Sequence, residues 1–513
     1  MVARNAKQSN CEKSAFLERQ FPGVHDDWEA MQEWVCQAAQ DGSPAHEVER
    51  QLFHKMLELG KRLFQGFLNL VGPGDFGDSV TLEDGRVVHR SEEQHQRPLL
   101  TVFGAFGIWR WVYAQREKAK FEFIPTDQRL QLPARDVSYL LQEWDQLLGI
   151  EHAYGKVREV IKTILRLSQS VDTLEQTNQQ MAEAAPVFRE AQEPVDLAKE
   201  GELLVATEDN KGIPMVRPVA DKPAGAHRHK GEKANKKQMA CIGSVYSVDR
   251  HPRTPEQLVA TLFRDPDRPR EQPPKPQNKR YWAELSREMD GVEIRGQALV
   301  FQHLRAEIDM RRKPGQWLVH LCDGQTSLET DRHTYLPEDA HTIDILELMH
   351  VLPRVWEAAH VFHAEGSTAA SAFVRDYLTR ILRGEVGKVI GVWRRKATWQ
   401  SLAGAKNKTL RKICAFFEKN KHRMRYNEYL RLGCPVATGV IEGACRHVIK
   451  DRMERAGMRW KIPGAQAMLN LRTIHTNGDW EAFQDFRIAL ENEWLYPHTR
   501  TFNAREWSAS QAA

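Results

Sequence analysis

Three acidic residues in three separate settings carry the strongest chemical signal in this chain. Asp209 closes the apolar run that begins at Gly201 and is followed by Asn-Lys-Gly-Ile-Pro-Met215. Asp323 closes a second run, Trp317-Leu-Val-His-Leu-Cys-Asp323, and is followed at once by Gly324. Glu442 lies in Thr438-Gly-Val-Ile-Glu-Gly-Ala-Cys-Arg-His-Val-Ile-Lys-Asp-Arg-Met453, a pattern that reads as a helix. Two aspartates at strand ends and a glutamate on a late helix supply the hard oxygen ligands that Mg²⁺ prefers. A pair of such ions about 4 Å apart can clamp the attacking and leaving oxygens of a phosphoryl transfer. Asp323 follows Asp209 by 114 residues and Glu442 follows Asp323 by 119, so only folding can make the three converge.

Each acid also has a plainer reading. An Asp after an apolar run is a turn former, and Asp-Gly is a turn dipeptide. Glu442 is flanked by Val440, Ile441 and Ala444, a segment that predicts burial, and a buried carboxylate needs a partner. A metal is one such partner; an ion pair with Arg446, four residues on, is the other.

The elements that must position these residues follow from periodicity. Up to about Gly72 the chain is helical, with Val48, Leu52, Phe53, Met56, Leu57, Leu59, Leu63, Phe64 and Phe67 at helical spacing. Leu99–Tyr113 reads as a β-hairpin with Gly104 and Gly107 as turn candidates. Helices return between Ala134 and Ala191, where Val157–Leu165, a Ser168-Gln-Ser170 break and Val171–Ala184 form a helix-turn-helix pattern capped by Ser170. Its second helix offers Gln176, Thr177, Asn178, Gln179 and Gln180, side chains suited to adenine edges or phosphates, or to an ordinary polar helix face. Beyond Gln192 the period turns strand-like at Gly201–Thr207, Gln238–Val248 and Trp317–Cys322. A Pro- and Arg-rich stretch, Arg264–Pro276, reads as an exposed loop, and Ile343–Phe362 as a helix kinked at Pro353. The predicted fold class is α/β, a catalytic core interrupted by an all-helical insertion and preceded by a mostly helical region. The expected boundaries are 1–95 (N-terminal helical region), 96–192 (hairpin and helix-turn-helix), 193–355 (first part of the core), 356–435 (basic helical insertion), 436–480 (last core helix) and 481–513 (tail).

Charge points to a polyanion. From Arg380 to Arg431 there are 15 Lys or Arg against 3 Asp or Glu, an excess three times the net +4 of all 513 residues. Trp393, Trp399, Phe416, Phe417 and Tyr426 are interleaved with those charges, a pattern that suits nucleic acid better than a merely solvated helix surface. Arg394, Arg395 and Lys396 are its densest cluster. Seven scattered cysteines without a Cys-x-x-Cys pair argue against a zinc ribbon and for a reducing compartment. No apolar run of 18 residues predicts a membrane span, and Met1–Gln20 lacks the apolar stretch of a secretory signal.

The motifs resemble a known family. Asp209-Asn-Lys-Gly-Ile-Pro-Met215 is similar to the Asp-Gly-Lys-Gly-Val-Pro-Met signature of bacterial insertion-sequence transposases of the Kra-four type, relatives of the Mutator-like group with an RNase H-like DDE core. Cys322-Asp-Gly-Gln-Thr-Ser-Leu328, His350-Val-Leu-Pro-Arg-Val-Trp356, Glu365-Gly-Ser367, Gly439–His447 and Lys450–Trp460 also resemble that family, which covers roughly Leu99 to Tyr496. The resemblance implies an RNase H-like mixed sheet and Asp209, Asp323 and Glu442 as catalytic metal ligands. It implies two Mg²⁺ ions, replaceable by Mn²⁺, and double-stranded DNA (transposon ends and target) as partner. It further implies a homo-oligomer assembled on DNA, away from membranes, in a bacterial cytoplasm beside the nucleoid. Arg446, Lys450, Arg452 and Arg459, with Arg455 and Lys461, become candidates for phosphates flanking the scissile bond, and Gln176 and Gln180 for sequence choice. The family carries an acid or Cys three residues before a His after the second Asp; Glu347-Leu-Met-His350 keeps that spacing, with Asp344 a rival to Glu347. The implied activity is metal-dependent DNA cleavage and strand transfer at terminal inverted repeats. The alternatives are a catalytically inactive, domesticated transposase that binds DNA, and a structure-specific nuclease.

Overall fold

The computed structural model describes residues 17–116, 119–216, 237–268, 272–437, 439–455 and 457–497. Most of the Met1–Gln20 stretch, Cys11, residues 269–271 of the Pro- and Arg-rich loop, Thr438 and the end from 498 lie outside the described residues. The chain divides into two compact units, residues 1–184 with 481–513, and residues 185–480.

In the first unit, α1 (Val24–Gln40) and the long α2 (Ala45–Val71) precede a break at Gly72, as the helical spacing predicts. The helical expectation for residues 1–95 fails beyond it. Val80 and Val88 pair across β1 (Ser79–Thr81) and β2 (Val87–Arg90), both buried, and Gly85 turns the chain at φ 82°. Strands β3 (His95–Thr101) and β4 (Gly104–Arg110) form the expected hairpin. Only Gly104 belongs to its turn; Gly107 pairs with Pro98 inside the ladder, where a Cβ would strike the Gln96 side chain. A short β5 (Tyr113–Ala114) joins β2. Then come α3 (Pro125–Leu130), α4 (Tyr139–Gly149), α5 (Tyr154–Leu165) and α6 (Val171–Glu183). The Ser170 hydroxyl caps α6 by accepting from the Thr173 amide, and Leu141, Val157, Ile161, Leu165 and Leu174 form the core between these helices. The segment expected to be a tail is instead a helix over Trp480–Leu495.

The second unit is built on a mixed five-stranded sheet. After α7 (Ala185–Ala191) come β6 (Leu203–Pro214), β7 (Lys237–Val248), α8 (Pro255–Leu262) and β8 (Gln277–Leu285). A small ribbon, β9 (Arg287–Met289) and β10 (Val292–Ile294), leads to α9 (Gly296–Arg311), β11 (Trp317–Cys322), α10 (Thr326–Tyr335) and β12 (Thr342–Leu346). The sheet order is β12-β11-β6-β7-β8; β6, β7 and β8 are antiparallel neighbours, and β11 and β12 run parallel to β6. Leu204, Ala206, Val245 and Leu318 on one sheet face pack against Val300, Phe301, Leu304 and Ile308 of α9. Gly243 permits that approach: a Cβ there would sit 2.5 Å from Val300. Residues 343–346, expected as helix, form β12 instead, because Ile343 and Ile345 alternate with polar Asp344 at strand period. The helix, α11 (Leu348–Phe362), starts only at Leu348 and carries Pro353 inside it.

The basic segment folds as helices: α12 (Thr368–Leu382), α13 (Val386–Trp399), α14 (Gly404–Asn420) and α15 (Tyr426–Arg431). Its aromatic residues are mostly core. Trp393, Phe417 and Tyr426 are buried, with Trp393 stacked on Phe373 at 5.9 Å and 16°. The chain then returns to the sheet through α16 (Gly439–Ala444), a π-helical stretch Cys445–Lys450, α17 (Asp451–Met453) and α18 (Ile462–Asn477), which packs on β8 through Gln466.

Candidate active site

The register of the parallel strands sets the site. Leu321 pairs with Thr207 and Cys322 with Leu346. Continued by two residues and by one, that register puts Asp323 level with Asp209 on one side and with Glu347 on the other. Neighbouring strands lie about 4.8 Å apart, so a continued ladder would bring Asp209, Asp323 and Glu347 to the same end of the edge strand β12 and its neighbours β11 and β6. Asp209 is not at a strand end, as the apolar run suggested. β6 continues to Pro214 against β7, and what ends at Thr207 is only the pairing with β11. Asp323 does stand just beyond its strand. Its Oδ1 accepts from the Gln325 amide at 2.6 Å, and Gly324 turns the chain at φ 84° with Leu346 and Phe416 against it.

Asp209 is held by three partners, the first of them the Asn210 amide, which donates to Oδ1 at 2.6 Å. Lys211, two residues on and so on the same strand face, brings Nζ to 2.7 Å from Oδ2, and the Cys445 thiol donates to the same oxygen at 3.4 Å. Burial opposes the Lys211 charge, but Asp209, then Cys445 and Glu442, outweigh it and raise the ammonium above its ordinary range. Burial followed by the nearby Asp209 charge pushes the Cys445 thiol up, so it stays protonated. Neither Lys211 nor Cys445 was singled out from sequence, although period two along β6 put Lys211 beside Asp209.

Glu442 departs from expectation. It is exposed, because Val440, Ile441 and Ala444 turn the other side of α16 inward. Arg446, its alternative partner, lies 3.7 Å from Asp451 instead. Glu442 comes near the site through Cys445, three residues on in the adjoining π-helical stretch, whose thiol reaches Asp209. Among the described residues, no three His, Cys, Asp or Glu side chains are gathered as a metal-holding group. The donors are hard oxygens of the kind Mg²⁺ takes, but the Asp209 carboxylate is engaged by Lys211 rather than left open.

Of the accessory candidates, Glu347 is 3 % exposed, precedes α11 without a side-chain cap bond, donates its amide to the Cys322 carbonyl and lies 3.7 Å from His350. Its rival Asp344 belongs to another structure. On the α9 face of the sheet, His320 is 1 % exposed and bridges Glu208 at 2.8 Å and Asp344 at 3.1 Å, while Arg332 donates to Asp344 at 2.7 Å. Burial disfavours the His320 charge, yet Glu208 and Asp344 overcome this and raise it to about 9. Burial likewise works to raise Asp344, but His320 and Arg332 hold it down to about 2.

The nucleic-acid candidates divide. Arg394 and Arg395 are exposed, as are Lys450 and Arg459, and Arg446 is exposed beside Asp451. Lys396 is only half-exposed, its ammonium 4.7 Å from the centre of the Phe362 ring. Arg452 is 1 % exposed: its guanidinium covers the Trp460 ring at 4.9 Å and donates to the Met458 sulfur, so it packs the interior and is withdrawn as a phosphate contact. Trp460 is buried, with its indole donating to the Met453 carbonyl. In the first unit, Gln180 and Gln176 accept from Arg135 at 2.6 and 3.0 Å on a cleft that Trp494 also lines. Thr177 and Asn178, offered by sequence with them, face inward; the Asn178 amide donates to Gln146 at 2.9 Å.

No helix among the described residues is long and apolar enough to cross a membrane. No protein-family model and no curated protein matches the sequence. Among solved structures, a Drosophila P element transposase strand transfer complex aligns over 73 % of this chain and 90 % of that chain, with 10 % identity and a TM-score of 0.23. A likeness that slight leaves the reading of the site to the residues themselves.

Proposed function

We propose that the chain is a metal-dependent DNA-cleaving and strand-transferring enzyme of the insertion-sequence transposase kind, with an RNase H-like core and Asp209, Asp323 and Glu442 as its acidic triad. The observation that supports this reading is that β11 pairs with β6 up to Leu321 and Thr207, two residues short of Asp323 and Asp209, while the Cys445 thiol, three residues past Glu442, reaches the Asp209 carboxylate. Three antiparallel strands flanked by two parallel ones, in the order β8-β7-β6-β11-β12, suit such a core, and the helices α12–α15 fall between the second and third acids. Asp209 and Asp323 would hold Mg²⁺, and Glu442 would complete the set once Lys211 yields the Asp209 oxygen. When bound, the two ions would polarise the scissile phosphate and lower the pKa of the attacking water or 3′-hydroxyl. Exposed Arg446, Lys450 and Arg459 would neutralise the flanking phosphates.

The Lys211–Asp209 pair favours a second reading, a DNA-binding protein without activity, because an ammonium already neutralises the first acid. Asp209→Asn, Asp323→Asn and Glu442→Gln, each assayed with duplex ends and Mg²⁺, decide between them. Under the first reading each variant keeps DNA affinity and loses cleavage. Wild-type protein that binds DNA but cuts nothing across a Mg²⁺ and Mn²⁺ series supports the second.

A further inference from the structure

Trp399 is 83 % exposed, the most exposed large apolar side chain among the described residues. It ends α13, at the turn into α14, where Ser401 adopts φ 51° and Gly404 φ 61°. The other Trp of this helix, Trp393, is fully buried, so the helices have a complete aromatic core without Trp399. A non-glycine residue in the left-handed region beside an indole left in water is a local cost that the fold itself does not require.

The surroundings are cationic. A groove of about 400 Å³ between α13 and α14 is lined by Arg394 and Arg411, with Thr398, Ser401 and Asn407 as further hydrogen-bonding groups. Lys406 and Lys408 are exposed at the start of α14. Elsewhere in the segment Arg380, Lys388 and Arg425 are each paired with a carboxylate. Among the described residues, Arg394, Arg411, Lys406 and Lys408 form no ion pair with a carboxylate, although Arg394 meets the Cys414 thiol and lies in the field of Glu418.

An exposed indole next in the chain to Thr398, which lines a groove carrying Arg394 and Arg411, matches the chemistry of a nucleobase with its adjoining phosphates. A base stacked inside a duplex has both faces covered, so away from the outer face of a terminal pair only an unpaired base can take an indole. We infer that Trp399 stacks on an unpaired base of a DNA strand whose neighbouring phosphates lie along Arg394 and Arg411. This rests on the DNA-directed reading above and adds a preference for frayed, extended or cleaved ends to it. The site takes part in holding DNA, not in the chemistry at Asp209.

Affinity measured by fluorescence anisotropy in EDTA, where no cleavage occurs, tests this with two probes: a blunt duplex and the same duplex with a short single-stranded extension. Wild-type protein should prefer the extended probe. Trp399→Ala should weaken binding to that probe by about 5- to 150-fold, the range for losing one base–aromatic stack, and leave the blunt duplex unchanged. Trp399→Phe should retain most of the preference. Equal binding of both probes by wild type, unchanged affinity of Trp399→Ala for the extended probe, or an equal loss on both probes would each overturn the inference while leaving DNA binding itself intact. A wild-type protein that binds neither probe would instead remove the DNA-directed reading.

Discussion

On the α9 face of the sheet, Glu208, His320, Asp344 and Arg332 close on one another in a buried chain of ion pairs. Asp209, one residue further along β6 and so on the other face, and Asp323, just beyond β11, stay partly exposed, and Asp209 is partnered by one lysine, one thiol and the Asn210 amide. The strands are the same and the residue types nearly so. The difference arises from the two-residue period of a strand, which sends adjacent carboxylates to opposite faces, and from what covers each face. Covered by α9 and α10, a carboxylate must find a permanent partner. Facing the mobile charge of a lysine, it can exchange that partner for a ligand. The closed chain also ties β6, β11 and β12 together, and so holds the pairing of β11 with β6 just short of Asp209 and Asp323.

If that contrast is right, the two faces answer substitution in opposite ways. The largest effect belongs to the open face: Asp209→Asn should lower cleavage roughly 10³-fold, comparable to losing a principal electrostatic group at a reacting centre. Its thermal midpoint should stay within a degree or two of wild type, and a large loss of stability would show that Asp209 is structural. On the closed face, His320→Ala leaves Glu208 and Asp344 buried without their shared cation and should cost about 3–5 kcal/mol in denaturant unfolding. A neutral result there would mean that the chain of ion pairs does not hold the strands.

Gly324→Ala adds a Cβ at φ 84°, 2.9 Å from Leu346, and should cost about 1–3 kcal/mol while reducing cleavage with it, because Asp323 precedes that turn. Loss of stability without loss of activity would separate the turn from the acid. His320 also predicts a pH dependence. Its folded pKa, about 9, exceeds the ordinary 6.5, so its contribution is complete below about 6.5 and is lost as pH rises through about 9. The thermal midpoint of wild type should therefore fall more steeply between pH 7 and 9.5 than that of His320→Gln; parallel curves would contradict the protonated bridge. The smallest effect lies far from both faces. Arg395→Glu should flatten the salt dependence of DNA binding by about 0.9 in log–log slope, and Lys396→Glu by less, since its ammonium rests on Phe362.

The sequence by itself determined what is local. The runs at Leu203, Lys237 and Trp317 form strands where expected, Ser170 caps its helix, and the break at Gly72 ends α2, because periodicity, capping and turn chemistry act over a few residues. The acids Asp209 and Asp323 stood out for the same reason: each interrupts an apolar run. β8 was not legible, since Lys279, Arg280 and Glu284 break its pattern. Glu284 becomes buried because Arg189 and His303 converge on it from other segments, beside the local Arg287 three residues on. Tertiary structure alone decided which side of each element is covered. It turned Glu442 outward and Arg452, ten residues on in the same helical stretch, inward, and made Trp393 core while leaving Trp399 in water. Helical spacing states that two residues differ in direction but not which direction meets a neighbour, because that neighbour, here β6, β7 or the rest of the helical insertion, lies tens to hundreds of residues away in the chain.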